Sequence, residues 1–153
     1  MNLQFKYLKF RAMTEIVWIE IRKIIFLIIG GHNMNLNEYL NCHKSRSFSE
    51  TLFSFIDKSG FKDSMIYKKA DIDRKLFSKI RCSENYIPRK NVIIKLCLAL
   101  KLNPNDFNKL LNSAGYSLSE SKFDRVISWC LENKIYDLSK VNDYLYTFCG
   151  TIL

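Results

Sequence analysis

Apolar side chains recur at helical spacing along much of the chain, and residues 71–80, DIDRKLFSKI, show the pattern clearly. The apolar positions there share one helical face, and they are Ile72, Leu76, Phe77 and Ile80. A segment of this kind packs its apolar face on a core and keeps its charges outside. The pattern predicts a helix from Arg74 to about Cys82, with the Asp73 carboxylate as its N-cap.

Two helices are predicted before this one. Ser47-Phe48-Ser49-Glu50 has the order of a capping box, in which the serine hydroxyl and the glutamate carboxylate each accept a hydrogen bond from a free amide. Gly60 ends the helix that follows. A shorter helix is predicted at about residues 63–70, and a turn at residues 71–72 separates it from the basic helix.

Four more helices are predicted after Pro88. The segment RKNVIIKLCLALKL is apolar on nearly every side after its first turn, which predicts central burial. Asn103-Pro104 opens a fifth helix, which Gly115 ends. A second capping box at residues 117–120 opens a sixth helix, whose apolar stripe is Phe123, Val126, Ile127, Cys130 and Leu131. Asp137 caps a seventh helix, whose apolar positions are Val141, Leu145 and Phe148. The predicted fold class is therefore all-α.

The character of the chain changes before Met34. Residues 1–33 hold aromatic and β-branched residues without a regular period, whereas helix signals are regular from Asn35 onward. The stretch GGHNM has two interpretations: Met34 is the native start, with the glycine codons forming part of a ribosome-binding sequence, or the two glycines form a flexible linker. Three regions are predicted: an N-terminal extension or linker at 1–46, a helical domain at 47–116 and a C-terminal helical pair at 117–153.

Composition excludes several classes of protein. The 153 residues are 48% hydrophobic and 14% aromatic, which is ample for a packed core. The five cysteines form no CxxC pair and the two histidines have no ligand-spaced neighbours, so we expect reduced thiols in a cytoplasmic protein with no metal and no cofactor. The apolar run Ile24–Ile29 is far shorter than the ~20 residues that a membrane helix needs, so we expect no membrane partner.

Positive charge is concentrated in one segment. The net charge of +9 comes from 24 bases and 15 acids. Residues 62–90 hold nine bases and four acids, whereas residues 104–153 hold five bases and six acids. A focused basic excess is typical of a nucleic-acid interface, although an ordinary solvated face has the same appearance in a sequence.

The residues from Ser47 to about Tyr116 resemble the five-helix domain of lambda-repressor/Cro-type (XRE-type) helix-turn-helix proteins. The resemblance is carried by FKDSMIYKKADIDRKLFSKI and by YIPRKNVIIKLCLALKLNPNDF. Apolar residues stand where that family joins its second and third helices, at Ile66, Ala70, Ile72, Phe77 and Ile80. Continued through GYSLSESKFDRVISWCLENKIYDLSKVNDYL, the stretch is also similar to a C-terminal module that follows macro domains in some bacterial proteins. The resemblance implies a five-helix helix-turn-helix domain with two additional C-terminal helices.

The resemblance also implies roles for the basic residues. The third helix would enter a major groove, with Arg74 and Lys75 at base edges and with Ser78 and Lys79 one turn further along. Phosphate contacts would come from Lys62, Lys68, Lys69, Arg89 and Lys90. Four positions depart from the family pattern: Asp63 replaces a phosphate-binding glutamine, Tyr67 a small residue, Asp71 a turn glycine and Arg81 an acid.

We therefore expect a sequence-selective protein that binds double-stranded DNA, a bacterial or phage transcriptional regulator. The alternative is a protein-interaction module of a toxin-control or phage-defence system, whose basic face meets an acidic protein partner. We expect no enzyme, because the chain has no glycine-rich phosphate loop or nucleophile motif, and Cys42-His43 is the only adjacent nucleophile and base. Residues 117–153 either form a homodimer or pack back over the helical domain.

Overall fold

The computed structural model describes residues 35–42, 46–83 and 85–153. The chain divides into two compact units, Met1–Lys44 and Ser45–Leu153. The described part of the first unit is the helix α1 (Leu36–Cys42), whose side chains are exposed. The GGHNM stretch, interpreted either as a linker or as a start at Met34, lies outside the described residues. So does His43, the second residue of the Cys42-His43 pair.

The second unit is built from seven helices. They are α2 (Phe48–Ser59), α3 (Asp63–Lys69), α4 (Arg74–Cys82), α5 (Lys90–Ala99), α6 (Pro104–Ser113), α7 (Lys122–Glu132) and α8 (Leu138–Cys149). Every regular element within the described residues is a helix, so the all-α prediction is confirmed for them. No helix among those residues is both long and apolar enough to cross a membrane.

Most of the predicted caps are present. The Ser47 hydroxyl accepts a hydrogen bond from the Glu50 amide at 3.1 Å, and the Glu50 carboxylate accepts one from the Ser47 amide at 2.9 Å. Asp73 and Asn103 accept from amides in the first turns of α4 and α6. Gly60 ends α2 at a φ of 67°, a left-handed conformation that glycine adopts without steric cost. Local sequence therefore sets the boundaries of these helices.

The prediction of a second capping box at residues 117–120 is wrong. Helix α7 begins at Lys122, and its N-cap is Ser121, which accepts a hydrogen bond from the Asp124 amide at 3.2 Å. Ser119, the third residue of the predicted box, instead donates its hydroxyl and its amide to the Asp124 carboxylate at 2.6 and 2.7 Å. The helix starts later because the charged acceptor at residue 124 draws the preceding loop toward itself.

One core joins all seven helices of the second unit, with α5 at its centre. Helix α5 packs against α3, α6 and α8, and Ile93, Ile94, Leu96 and Cys97 are fully buried, so the predicted central burial is confirmed. The apolar stripe of α7 belongs to the same core. Ile127, Cys130 and Leu131 are buried in it, and Phe123 and Val126 pack against it. The C-terminal pair therefore packs over the helical domain.

The inner face of α8 differs from the prediction at its last turn. Val141 and Leu145 are buried as predicted, but Phe148 is 53% exposed, and Cys149 is the half-buried residue that packs against the core. An ideal helical period places both residues near the side of Val141 and Leu145, and in this last turn it is Cys149 that meets the core. An aromatic side chain is left at the surface as a result.

Candidate nucleic-acid interface

The turn between α3 and α4 holds the two helices at a fixed angle. Asp71 has a φ of 49°, and the amide of Ile72 donates to the Tyr67 carbonyl at 2.9 Å. Aspartate adopts this left-handed conformation at lower cost than most residues, which explains how a residue other than glycine occupies the turn. The apolar residues predicted to join α3 and α4 are all buried, namely Ile66, Ala70, Ile72, Phe77 and Ile80.

Burial of one face of α4 fixes which residues its other face presents. Phe77 and Ile80 anchor the helix in the core, and the buried Ser49 hydroxyl donates to the Ile80 carbonyl at 3.1 Å. The four residues predicted to approach bases are exposed along the opposite side, and they are Arg74, Lys75, Ser78 and Lys79. The structure therefore brings these four together on one rigid element.

A shallow groove of about 410 Å³ runs between the start of α3 and the outer side of α4. Its lining combines three bases, one acid, two hydroxyls and two rings: Lys62, Arg74, Arg81, Asp63, Ser64, Ser78, Tyr67 and Phe77. Hydrogen-bond donors and positive charges thus surround an aromatic floor. A surface of this composition accepts an anionic ligand and can also stack on a flat one.

Asp63 is not an isolated negative charge. Its carboxylate lies 2.5 Å from the Arg81 guanidinium, and that guanidinium also stacks over the Phe53 ring at 4.1 Å from the ring centre. Both charged side chains are about half exposed, so the pair contributes little to stability, at most about 1 kcal/mol. Two departures from the family pattern are therefore partners of each other, which spacing alone does not reveal.

Tyr67 is accommodated at the side of the helix pair. It is half-buried, and its ring centre lies 5.7 Å from that of Phe77 with the planes tilted by 52°. Phe53 meets the same ring edge-on at 6.1 Å. The bulky residue thus joins an aromatic cluster that supports the floor of the groove.

Two of the predicted contacts are held by aromatic rings. The Lys79 ammonium lies over the Tyr86 ring at 4.2 Å, and the Lys69 ammonium lies over the Phe61 ring at 4.8 Å. A cation over a ring keeps its charge and loses some of its side-chain freedom. Both lysines remain exposed, as do Lys62, Lys68 and Arg89, so all five are accessible to phosphate.

Lys90 is used inside the fold, which argues against its predicted role as a phosphate contact. Its ammonium donates to both carboxylate oxygens of Asp124 at 2.6 and 2.8 Å, and Asp124 is only 2% exposed. Burial raises the pKa of the Asp124 carboxyl, but the hydrogen bonds from Lys90 and Ser119 outweigh it, so the pKa lies below its ordinary value. The ion pair therefore joins α5 to α7.

No cluster suited to a metal ion forms in the parts of the chain that the structure describes. No three His, Cys, Asp or Glu side chains converge there. Cys97 and Cys130 are buried, and burial raises the pKa of each thiol, which disfavours the nucleophilic thiolate.

Comparison of the chain with protein-family models, curated proteins and solved structures gives no match.

Proposed function

We propose that this chain is a sequence-selective protein that binds double-stranded DNA, with a helix-turn-helix formed by α3 and α4. The observation that carries the proposal is the exposed basic side of α4, which presents Arg74, Lys75, Ser78 and Lys79 from a helix anchored by Phe77 and Ile80. On this proposal α2 to α6 form a lambda-repressor-like domain, and the protein acts as a cytoplasmic transcriptional regulator.

The proposal divides the basic residues into two roles. Arg74, in the first turn of α4, reads a base, and a bidentate contact to guanine contributes about 1–3 kcal/mol of discrimination. Lys75, Ser78 and Lys79 extend the reading surface along the same helix. Phosphate contacts come from Lys62, Lys68, Lys69 and Arg89, which supply affinity that falls as salt concentration rises. Lys90 is left out of this set because Asp124 holds its ammonium.

A homodimer completes the proposal. One short recognition helix gives little affinity, and proteins of this kind commonly read two half-sites through a two-fold partner. The apolar stripe of α7 is used within the core, so the surface available for pairing is the remaining exposed set in residues 117–153: Trp129, Tyr146, Phe148 and Ile152. Exposed aromatic side chains are typical of protein contacts.

A second candidate function is a protein-interaction module of a toxin-control or phage-defence system. The observation that favours it is the Asp63–Arg81 ion pair, which places a carboxylate at the α3 N-terminus where DNA binding would need a donor. On this alternative the basic side of α4 meets an acidic protein partner. The two functions differ in how they respond to DNA sequence.

The proposed DNA-binding function is tested by selecting sites from a pool of randomised duplexes with the full chain. The expected result is a recurring sequence that the protein binds in the presence of unrelated competitor DNA. Binding that is weak and independent of sequence would contradict the proposal and favour the interaction module.

We predict that Arg74→Ala removes sequence preference while Arg89→Ala does not. Loss of a base contact should weaken binding to the selected site by about 1–3 kcal/mol and leave a scrambled site unaffected. Loss of a phosphate contact should weaken both sites alike and lower the dependence on salt. Fluorescence anisotropy on the two duplexes measures both effects, and equal losses on both duplexes for Arg74→Ala would exclude direct reading by that residue.

A further inference from the structure

A second groove, of about 490 Å³, lies at the C-terminal ends of α3 and α5. We call it the lysine groove. Three separate segments of the chain build it: the end of α3, the end of α5, and the stretch that runs from the α7–α8 connection into the first turn of α8. The lining residues are Lys69, Leu98, Ala99, Lys101, Lys134, Ile135, Tyr136, Asp137, Leu138 and Lys140.

The lysine groove is separate from the groove beside α4, and Lys69 is its one residue that also belongs to the proposed phosphate contacts. The groove beside α4 uses Asp63, Ser64 and Tyr67 of α3, and the lysine groove uses Lys69, the last residue of that helix. The first and last residues of this seven-residue helix are about 10 Å apart. The two grooves have no residue in common. A ligand bound in the lysine groove therefore need not contact the exposed side of α4.

The rim carries four positive charges and one negative charge. The negative charge is Asp137, whose carboxylate already accepts a hydrogen bond from the Lys140 amide at 3.0 Å. Among the described residues, no acid lies within ion-pair distance of Lys101, Lys134 or Lys140. Lysines at the ends of α5 and α7 suit the helix dipole, but Lys140 lies in the first turn of α8, where the dipole disfavours a cation. The positive rim is therefore more than a set of helix ends.

The backbone at two of these lysines is fixed by the ends of the helices before them, where the amides of Leu102 and Ile135 donate to the carbonyls of Cys97 and Cys130 at 3.1 and 2.8 Å. Lys101 and Lys134 have φ values of 52° and 56°, left-handed conformations that glycine adopts more readily. Three other turns of the chain place glycine in this conformation, at Gly60, Gly115 and Gly150. The two lysines are far apart in sequence yet stand on one rim.

The floor of the groove is apolar. It consists of the buried Leu98 and Ala99 together with the half-buried Ile135, Tyr136 and Leu138. The sugar-phosphate backbone of DNA offers phosphates but no apolar side chains for such a floor. A peptide with alternating acidic and apolar residues offers both, because apolar side chains can cover the floor while carboxylates reach the lysines.

We propose that the lysine groove binds an acidic peptide segment of a partner protein, with apolar side chains on the floor and carboxylates against Lys101, Lys134 and Lys140. This partner differs from the one in the alternative function, which would meet α4. The proposal goes beyond DNA binding and does not depend on it. The occupant is a peptide and not a small anion, because the floor and the rim together need a ligand with both apolar and charged groups.

The test is selection of peptides from a displayed library of short random sequences, using the full chain in the presence of excess duplex DNA. The expected sequences combine Asp or Glu with aliphatic or aromatic residues. A selected peptide should bind the variant Lys101→Asn/Lys134→Asn about tenfold more weakly. Asparagine suits both positions because it also tolerates the left-handed conformation. The matched control is Lys109→Asn/Lys122→Asn, which removes two exposed charges outside the groove and should leave the affinity unchanged.

Either of two results would overturn the proposal: no enrichment of acidic sequences, or selected peptides that bind the Lys101→Asn/Lys134→Asn variant as tightly as the original chain. Circular dichroism of the variant confirms that loss of binding is not loss of fold. The same variant should bind a selected DNA site unchanged, because neither lysine belongs to the α4 surface. Failure of the peptide proposal is thereby distinguished from failure of the DNA-binding proposal.

Discussion

At the first residue of α3, a carboxylate stands where the resembled family places a glutamine that binds phosphate. Asp63 would repel DNA if it were alone, but the Arg81 guanidinium beside it offsets its charge. The Arg81 guanidinium in turn lies over the Phe53 ring. The net charge of the Asp63–Arg81 pair is therefore close to zero. DNA binding would need a hydrogen-bond donor at this position, whereas the interaction module would not.

Substitution of Asp63 discriminates between the two functions. Asp63→Gln installs a hydrogen-bond donor and leaves the Arg81 charge uncompensated, so DNA binding should become several-fold tighter at low salt, with a smaller gain as salt rises. Gel shifts on a selected duplex measure the change. Asp57→Asn, which removes an exposed acid of α2, serves as the control and should have little effect. A folded Asp63→Gln protein that still gives no gel shift would favour the interaction module.

At the scale of the elements, the central joint is the buried carboxylate that ties α7 to the start of α5. Asp124 receives four hydrogen bonds, two from the Lys90 ammonium and two from Ser119. The lowered pKa of its carboxyl means that the folded state favours the charged form. Such a group stabilises the fold at every pH above its ordinary pKa and loses that contribution as pH falls through the lowered value.

We predict that Asp124→Asn lowers the free energy of unfolding by about 2–3 kcal/mol at neutral pH, because the partly buried Lys90 ammonium loses its counter-charge. The difference from the original chain should shrink below a pH of about 4, where this carboxyl begins to take up a proton in the unfolded chain, and should go on shrinking as pH falls through the lowered pKa of the folded state. Urea unfolding followed by circular dichroism over a series of pH values measures this. The exposed Asp57→Asn is the control, and a difference that stays constant at acid pH would refute the ion-pair explanation.

The contacts of Asp124 illustrate which features of the structure the sequence could predict and which it could not. Helix ends set by neighbouring residues were predictable, as the Ser47, Asp73 and Asn103 caps illustrate. The start of α7 was not, because it depends on Asp124, which binds both Ser119 and Lys90, a residue 34 positions earlier. The apolar run of α5 likewise predicted its central burial. The exposure of Phe148 was not predictable, because helical spacing places this residue on the side of Val141 and Leu145.

The candidate site divides in the same way. The exposed side of α4 follows from its apolar positions, since Phe77 and Ile80 must turn inward. The pairing of Asp63 with Arg81 depends on where α3 and α4 meet, which spacing does not specify. The lysine groove was missed for a similar reason: its lysines come from three distant segments, and the left-handed turns at Lys101 and Lys134 carry no glycine to mark them.

At the scale of the whole molecule, α7 and α8 are part of the core of the second unit. Helix α8 packs against α5, and α7 packs against α6. Four of their fully or almost fully buried apolar side chains are Ile127, Leu131, Val141 and Leu145. Each contributes about 1.5–3 kcal/mol by burial, and a domain's total stability is only about 5–15 kcal/mol.

A chain that ends after Tyr116 should therefore fail to unfold cooperatively, because the faces of α5 and α6 that these helices cover would meet water. Urea titration monitored by circular dichroism compares it with the complete chain. A sharp transition in the shortened chain at a similar urea concentration would show that residues 47–116 fold by themselves.

Sedimentation equilibrium of the complete chain extends this comparison to the proposed homodimer. We expect a dimer at micromolar concentration, and a monomer for Tyr146→Ser/Phe148→Ser, which removes two exposed aromatic rings without altering a buried residue. A monomer at every concentration for the unaltered chain would contradict the dimer.

The position of α7 and α8 at the end of the folded unit also has a consequence during synthesis. A ribosome adds about 5–20 residues each second, so residues 117–153 follow Tyr116 over roughly 2 to 7 seconds. Throughout that interval the nascent chain carries the central helix α5 without α8 to cover it, and Lys90 without Asp124. An apolar face left open on this timescale is a binding site for a chaperone. Production of this protein should therefore depend on chaperone supply more strongly than its small size suggests.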